Sequence, residues 1–282
     1  MHLKIMCFCG EMHTIQFRLT AYANPCTIAA ENEAKELTFM KIRFLGTGAA
    51  DWNGVDECGE YRRLTSTLFD DALLIDFTHS AQDMLPKTAD VRHIFITHSH
   101  FDHFDPEAIA ALAPAALYAH ESWAEEIAID GIEVCPVVVG KWISAGGYEV
   151  LALPSSHSTS RPYEQTVNYL LKKGETLFLY ATDGAWLPNR ALHLMKGMLL
   201  SGMAIDATIG DGYDGDYRIF EHNFLPMIRI MTDTMKKTGL LKPEARVYLT
   251  HMARTLHGTQ KEVEAANGAP YVVCFDGMET EL

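Results

Sequence analysis

No apolar stretch of the 282-residue chain reaches the ~18 residues that a membrane-spanning helix needs, so no membrane partner is expected. Basic residues are scarce. Lys and Arg number 23 against 37 Asp and Glu, for a formal net charge of −14 and a pI near 5.3, and no basic run relieves the imbalance. A long RNA or DNA partner is held by phosphate neutralisation and is therefore not expected, whereas a small anionic substrate held at a local positive site is compatible. The six cysteines (Cys7, Cys9, Cys26, Cys58, Cys135, Cys274) form no paired framework, which points to reduced thiols and a cytoplasmic protein. Cys7 and Cys9 lack a second pair to complete a metal site and read as ordinary thiols. The N-terminus lacks a basic segment followed by an unbroken apolar core, so it is a poor signal peptide. The Gly46-Thr47-Gly48 stretch lacks the Lys-Ser/Thr of a nucleotide-binding loop and reads as a strand-ending turn, with a substrate-facing loop as the sharper alternative.

What remains is an ordinary soluble composition, 48% hydrophobic and 21% charged, at a length compatible with one large α/β domain. Residues 1–39 read as an N-terminal extension or as an extra hairpin packed on the domain, and residues 40–282 as the domain itself, opening on MKIRFLGTGAA. Apolar runs bounded by turn signals predict strands over 40–45, 66–69, 72–77, 92–97, 132–139, 148–153, 166–171, 176–181, 203–208, 245–250 and 271–275. Helical patterns cover 79–85, 106–113, 120–128, 189–200, 223–239 and 259–267. Asp105-Pro106-Glu107 is a helix start: a capping residue, a proline in the first turn, then an acid. Strands cluster early and alternate with helices later, which suggests two sheets with helices on their outer faces.

Four apolar runs end in residues that bind metals. His98 follows RHIFIT, His157 follows YEVLALPSS, Asp183 follows TLFLYAT and His251 follows ARVYLT. Loops at strand ends on a rigid scaffold are where α/β enzymes keep their chemistry. The stretch His98-Ser99-His100-Phe101-Asp102-His103 packs three imidazoles and a carboxylate into six residues. Burying them without a shared partner costs several kcal/mol. His98 and His100 can approach one ion, with His157 as a third imidazole; Asp102 and His103 can turn toward a second ion, joined by His251, with Asp183 between. Imidazole and carboxylate without thiolate suit catalytic Zn²⁺, and Mn²⁺ or Fe²⁺ as well.

With these residues in place, THSHFDH, PSSHS, YATDGAW and YLTHMA, in this order, resemble the signature of the metallo-β-lactamase-fold hydrolases over residues 40–282. The resemblance implies an αββα four-layer sandwich of two mixed β-sheets flanked by helices, with a dinuclear site at one sheet edge. It implies that one ion takes His98, His100 and His157, that the other takes Asp102, His103 and His251, and that Asp183 bridges. Two such ions share a hydroxide that attacks phosphorus or a carbonyl carbon, so no side-chain nucleophile is needed. The FLGTGAA opening, LLIDF, LTHMA and Phe104-Asp105-Pro106 in place of a Gly pair look more like the phosphodiesterase branch, which includes phosphoribosyl cyclic phosphodiesterases and tRNase Z. That branch carries a further histidine between the bridging Asp and the last ligand, and His222 stands there.

The expected activity is hydrolysis of a small phosphodiester or cyclic phosphate, with Asp102 and His222 as catalytic residues and His222 donating a proton or clamping a phosphate oxygen. Hydrolysis of a lactone, thioester or amide on the same site is the alternative, and a non-catalytic metal-binding domain a third. tRNase Z itself is disfavoured by the acidic charge. Further candidates are His257, phosphate contacts from Arg62, Arg63, Arg161 and Arg254, and Asp206 as a residue that orients an imidazole or merely turns the chain. His2, His13, His79, His93, His120 and His193 read as structural or surface residues. A homo-oligomer is possible.

Overall fold

The computed structural model describes residues 39–282. The readings placed on residues 1–38, including Cys7, Cys9, His2 and His13, lie outside the described residues.

Two seven-stranded sheets form the frame. The first runs β14-β1-β2-β3-β4-β5-β6, with β1 Lys41–Gly46, β2 Ser66–Phe69, β3 Leu73–Ile75, β4 His93–Phe95, β5 Ala115–His120, β6 Ile132–Val137 and β14 Met278–Glu281. The second runs β13-β12-β11-β10-β9-β8-β7, with β7 Trp142–Ala145, β8 Tyr148–Pro154, β9 Val167–Lys173, β10 Thr176–Ala181, β11 Leu200–Asp206, β12 Leu241–Thr250 and β13 Tyr271–Val273. Both are mixed: β3 to β6 and β10 to β13 pair in parallel, the other neighbours antiparallel.

The strand pattern explains the layering. Along β8, Val150 and Ala152 join one buried cluster while Leu151 and Leu153 join another; along β10, Phe178 and Tyr180 part in the same way from Leu179 and Ala181. A strand covered on both faces needs an unbroken apolar run, which is what these segments are. The shared cluster holds Phe44, Phe69 and Phe95 of the first sheet against Tyr148, Tyr169, Phe178, Tyr180 and Tyr248 of the second. The outer clusters lie under helix α1 (Pro106–Ala110) on one side and under α2 (Asn189–Leu194), α3 (Leu225–Lys237) and α4 (Gln260–Ala266) on the other. The result is the four-layer αββα arrangement.

Several predicted elements differ. AALYAH, read past because its alanines carry no strand signal, is β5, and the helix expected over 120–128 is only a short 3-10 turn at Ala124–Glu126. β7 and β14 were not predicted; both are edge strands with half-exposed, mixed sequences. The helix expected over 189–200 stops at Leu194, because Gly197 turns the chain at φ +81° and Leu200 already opens β11. The segment His79–Met84 is 3-10 rather than α.

One end of the sandwich collects the polar strand ends. Asp76 follows β3, Asp183 follows β10, Asp206 closes β11 and His251 follows β12, with Ala181 paired to Ile205 and Asp206 to Thr250 at one level. The two sheets are tied there as well: the Val167 N–H donates to the Thr97 carbonyl at 3.0 Å and the Tyr169 hydroxyl to the Ile96 carbonyl at 2.7 Å. Asp76, Asp183 and His251 all take left-handed backbone conformations, φ +55°, +50° and +56°, unusual outside glycine. Each ends its strand in a sharp turn, and such conformations gather where surrounding structure over-determines them.

Candidate metal centre

The structure brings all seven expected ligands into one cluster. His98 Nε2 and His157 Nε2 lie 3.0 and 3.2 Å from His100 Nδ1. Beside them, Asp102 Oδ2 stands 3.5 Å from both His103 Nε2 and His251 Nε2. Asp183 reaches both groups: Oδ2 is 2.6 Å from His103 Nε2 and 3.2 Å from His251 Nε2, and Oδ1 is 3.9 Å from His157 Nε2. All but half-exposed His100 are buried.

The surrounding hydrogen bonds fix which nitrogen each ring turns inward. The Thr97 hydroxyl donates to Asp76 and stands 3.0 Å from His98 Nδ1, so it accepts from that N–H. His103 Nδ1 faces Asp76 Oδ2 at 2.7 Å. His251 Nδ1 faces the Thr208 hydroxyl at 2.8 Å, whose own proton goes to the His251 carbonyl, and His157 Nδ1 faces the Glu221 carbonyl at 3.4 Å. Each Nδ1 has an acceptor, so each Nε2 offers its lone pair to the centre, as outer hydrogen bonds do for metal-ligating histidines. Glu164 ties the loops together: it accepts from the Ser99 N–H at 2.7 Å and from the Thr159 hydroxyl at 2.9 Å, joining the His98–His103 loop to the loop after His157.

These donors fit divalent cations. Asp183 Oδ2 is buried and has no hydrogen-bond partner although two imidazole nitrogens stand within 3.2 Å of it. Lone pairs facing one another at that range repel unless a positive centre lies among them. The electrostatics agree. Burial and the neighbouring positive charge of His103 hold His98 well below the usual histidine range, and burial lowers His157, so both are neutral ligands. Burial opposes charge on Asp102 and Asp183, but the imidazoles of His103 and His251 outweigh it and hold both carboxyls well below the usual range. Burial likewise opposes charge on His103, yet Asp183, Asp102 and Asp76 together raise it well above its ordinary value: without a metal the carboxylates draw a proton to the same place.

His222 stands beside this cluster. Its Nδ1 is 2.8 Å from Asp206 Oδ2 and 3.5 Å from Asp183 Oδ1. Burial opposes its charge, but Asp206 prevails and raises it to about 9. Asp206 also accepts from the Gly184 N–H at 3.1 Å and the Thr208 N–H at 2.8 Å, so it orients the turn after Asp183 together with His222.

Other candidates lie elsewhere. Arg62 is buried and donates to Thr47 Oγ1 at 2.8 Å, to the Cys274 carbonyl at 2.7 Å and to Gln260, which leaves nothing for a phosphate. Arg63 pairs with Asp83 at 2.7 Å, Arg161 lies over the Trp123 ring, 3.6 Å from Glu126, and Arg254 donates to the Asp51 carbonyl at 3.2 Å. His257 faces the Ala207 carbonyl at 2.7 Å outside the cluster. His79 and His193 are exposed, His93 meets the Tyr118 hydroxyl at 3.2 Å, and His120 meets Ser122 at 2.9 Å. The Gly46 and Gly48 positions are explained by packing: a Cβ would lie 1.9 Å from the Leu64 carbonyl oxygen or 2.5 Å from the Trp52 ring. Asp105 caps α1, accepting from the Glu107 and Ala108 N–H groups at 3.1 Å, so Phe104-Asp105-Pro106 has a local structural cause. Asp76, Thr97, Thr208 and Glu164 escaped sequence reasoning. For Asp76 the signal was present, since LLIDF is one more apolar strand ending in a carboxylate.

The model of the beta-lactamase superfamily domain matches residues 63–252. A UPF0173 metal-dependent hydrolase of Rhizobium etli is 29% identical over 153 residues, 52% of this chain and 60% of that protein, so the chain spans about 60% of the length of the curated relatives it matches. A solved diphosphatase from the PhnP family is similar in fold at a TM-score of 0.66 and 19% identity, covering 87% of this chain and 98% of that one. Zn²⁺-bound PqqB from Methylobacterium extorquens is similar at a TM-score of 0.61 and 16% identity, covering 86% and 100%.

Two predictions follow from this geometry. Asp76→Asn keeps the shape but removes the charge behind His103, and zinc affinity, measured by competition with a chromophoric chelator, should fall about 10–100-fold; an unchanged affinity contradicts the role given to Asp76. Burial, helped by the Arg62 charge, pushes His257 down to about 4. A histidine depressed in the folded state contributes stability that is full above its unfolded value of about 6.5 and is lost as pH falls through about 4. Urea denaturation between about pH 7 and about pH 4 should therefore show a loss of up to ~3 kcal/mol that His257→Gln removes. Identical pH slopes in the two proteins contradict it.

Proposed function

The chain belongs to the beta-lactamase superfamily, and we propose that it is a hydrolase that uses two divalent ions, zinc foremost with manganese or iron as alternatives, to cleave a small phosphodiester or cyclic phosphate. The observation that carries this reading is the Asp183 carboxylate, one oxygen turned to the His98–His100–His157 group and the other to His103 and His251. Divalent ions held there supply Lewis acidity, activating water and polarising the ester. His98, His100 and His157 would hold one ion and Asp102, His103 and His251 the other, with Asp183 placed between them. A closed structural zinc site needs four ligands, so seven converging donors favour catalysis over a scaffold role.

The chain's own residues divide the remaining work. His222 uses Nδ1 on Asp206, and among the described residues its Nε2 has no protein hydrogen bond, which leaves that nitrogen free to face a substrate. It protonates the leaving oxygen or clamps a non-bridging phosphate oxygen. Asp206 keeps that imidazole aimed. Asp102, ionised and buried among His103 and His251, orients the attacking water as well as ligating. The ligand set serves a lactone, thioester or amide equally well; His222, backed by Asp206 and with Nε2 unbonded beside the cluster, offers a donor for the leaving oxygen or a clamp on a phosphate oxygen, which is what favours the phosphodiester.

The test is a panel of bis-p-nitrophenyl phosphate, a lactone and a thioester, with metal content measured alongside. The expected outcome is chelator-sensitive turnover preferring the phosphodiester, and a His222→Gln variant that keeps its metal while kcat falls about 10²–10³-fold. Preference for the acyl substrates by orders of magnitude in kcat/KM would overturn the substrate class.

A further inference from the structure

Exposed rings neighbour the ligands in the sequence. Phe101 stands between the ligands His100 and Asp102 and is 68% exposed. Tyr217 and Phe220, 78% and 79% exposed, lie on the 3-10 turn Tyr217–Phe220, which leads directly into Glu221 and His222. Trp186, three residues after Asp183, is 46% exposed and held at φ +53°, with its N–H donating to Asn223 Oδ1 at 2.8 Å. These segments are fastened to the ligands: the Glu221 carbonyl faces His157 Nδ1, and the Ser156 hydroxyl, next to His157, donates to the Ala185 carbonyl. Phe101 and Phe220 therefore belong to the turns that carry His100, Asp102 and His222, whereas Trp186 lines a groove with Leu199, Met231 and Leu240 beside α2 and α3.

Positive charge is sparse on the loops that carry the ligands. The loops 98–105, 155–166, 182–188, 207–224 and 251–259 contain no lysine. Of their three arginines, Arg218 pairs with Asp216 at 2.8 Å, Arg161 lies over Trp123 with Nη1 3.6 Å from Glu126, and Arg254 donates from Nε to the Asp51 backbone carbonyl at 3.2 Å. A flat ring would find several exposed aromatic faces, and stacking on such faces is strong and tolerant of ring identity.

We infer that the ester accepted by this site carries a planar aromatic or heteroaromatic ring that stacks on Phe101 and Phe220. This rests on the phosphodiester reading, but its test does not need turnover. Isothermal titration of the metal-loaded full chain with phenylphosphonate and with methylphosphonate compares two probes with the same anionic head. Phenylphosphonate should bind at least about tenfold more tightly. Phe101→Ala, Phe101→Leu and Phe220→Ala should each bring the ratio to within about threefold, whereas Trp142→Ala, which removes an exposed ring from edge strand β7, should keep it. Equal or absent binding of the two probes by the unaltered protein overturns the inference, as does an equal loss of ratio in Trp142→Ala. Absence of phosphodiester turnover with the ratio intact refutes the hydrolytic reading and leaves ring recognition standing.

Discussion

Four carboxylates, Asp76, Asp102, Asp183 and Asp206, are buried within one small region, and the rest of the site is arranged around that constraint. Isolated ionised carboxylates in a protein interior cost many kcal/mol unless they are paired. Here the pairing is distributed. Asp76 stands behind His103, Asp206 behind His222, and Asp102 and Asp183 face the imidazoles of His103 and His251. Asp183 Oδ2 is left without a hydrogen bond, and a divalent cation would answer that deficit as well as the crowding of inward-facing nitrogens.

The fold meets this constraint by dividing the donors between two sheets. The first supplies Asp76, Thr97 and the His98–His103 loop; the second supplies His157, Asp183, Asp206 and His251. Neither sheet alone holds a complete donor set, so the aromatic layer between them, from Phe44 and Phe95 to Tyr169 and Tyr248, also sets the site's geometry. The Val167–Thr97 and Tyr169–Ile96 hydrogen bonds lock the sheets at the end where precision matters. Rigid strands ending in short turns give the placement that a preorganised centre requires.

Much of this was legible in the sequence because burial and metal binding leave strong marks. Apolar runs ending in His or Asp identified His98, His157, Asp183 and His251, and the structure gathers them. The rest was hidden for physical reasons. β5 is built from alanines that carry no strand propensity, and β7 and β14 are edge strands whose exposed faces erase the alternation. Thr97, Thr208 and Glu164 act through hydrogen bonds to residues distant in sequence or to a neighbouring loop, and no local pattern announces such partners. Phe104-Asp105-Pro106, read as a mark of the phosphodiesterase branch, is a helix cap, so the case for a phosphodiester now rests on His222 and its pairing with Asp206.

The central claim is that two cations share Asp183, and anomalous diffraction from crystals of the protein loaded with zinc or manganese tests it most directly. The account predicts two anomalous peaks, one bounded by His98, His100 and His157, the other by Asp102, His103 and His251, with Asp183 contacting both. A single peak enclosed by four protein ligands, or metal bound away from Asp183, would contradict it.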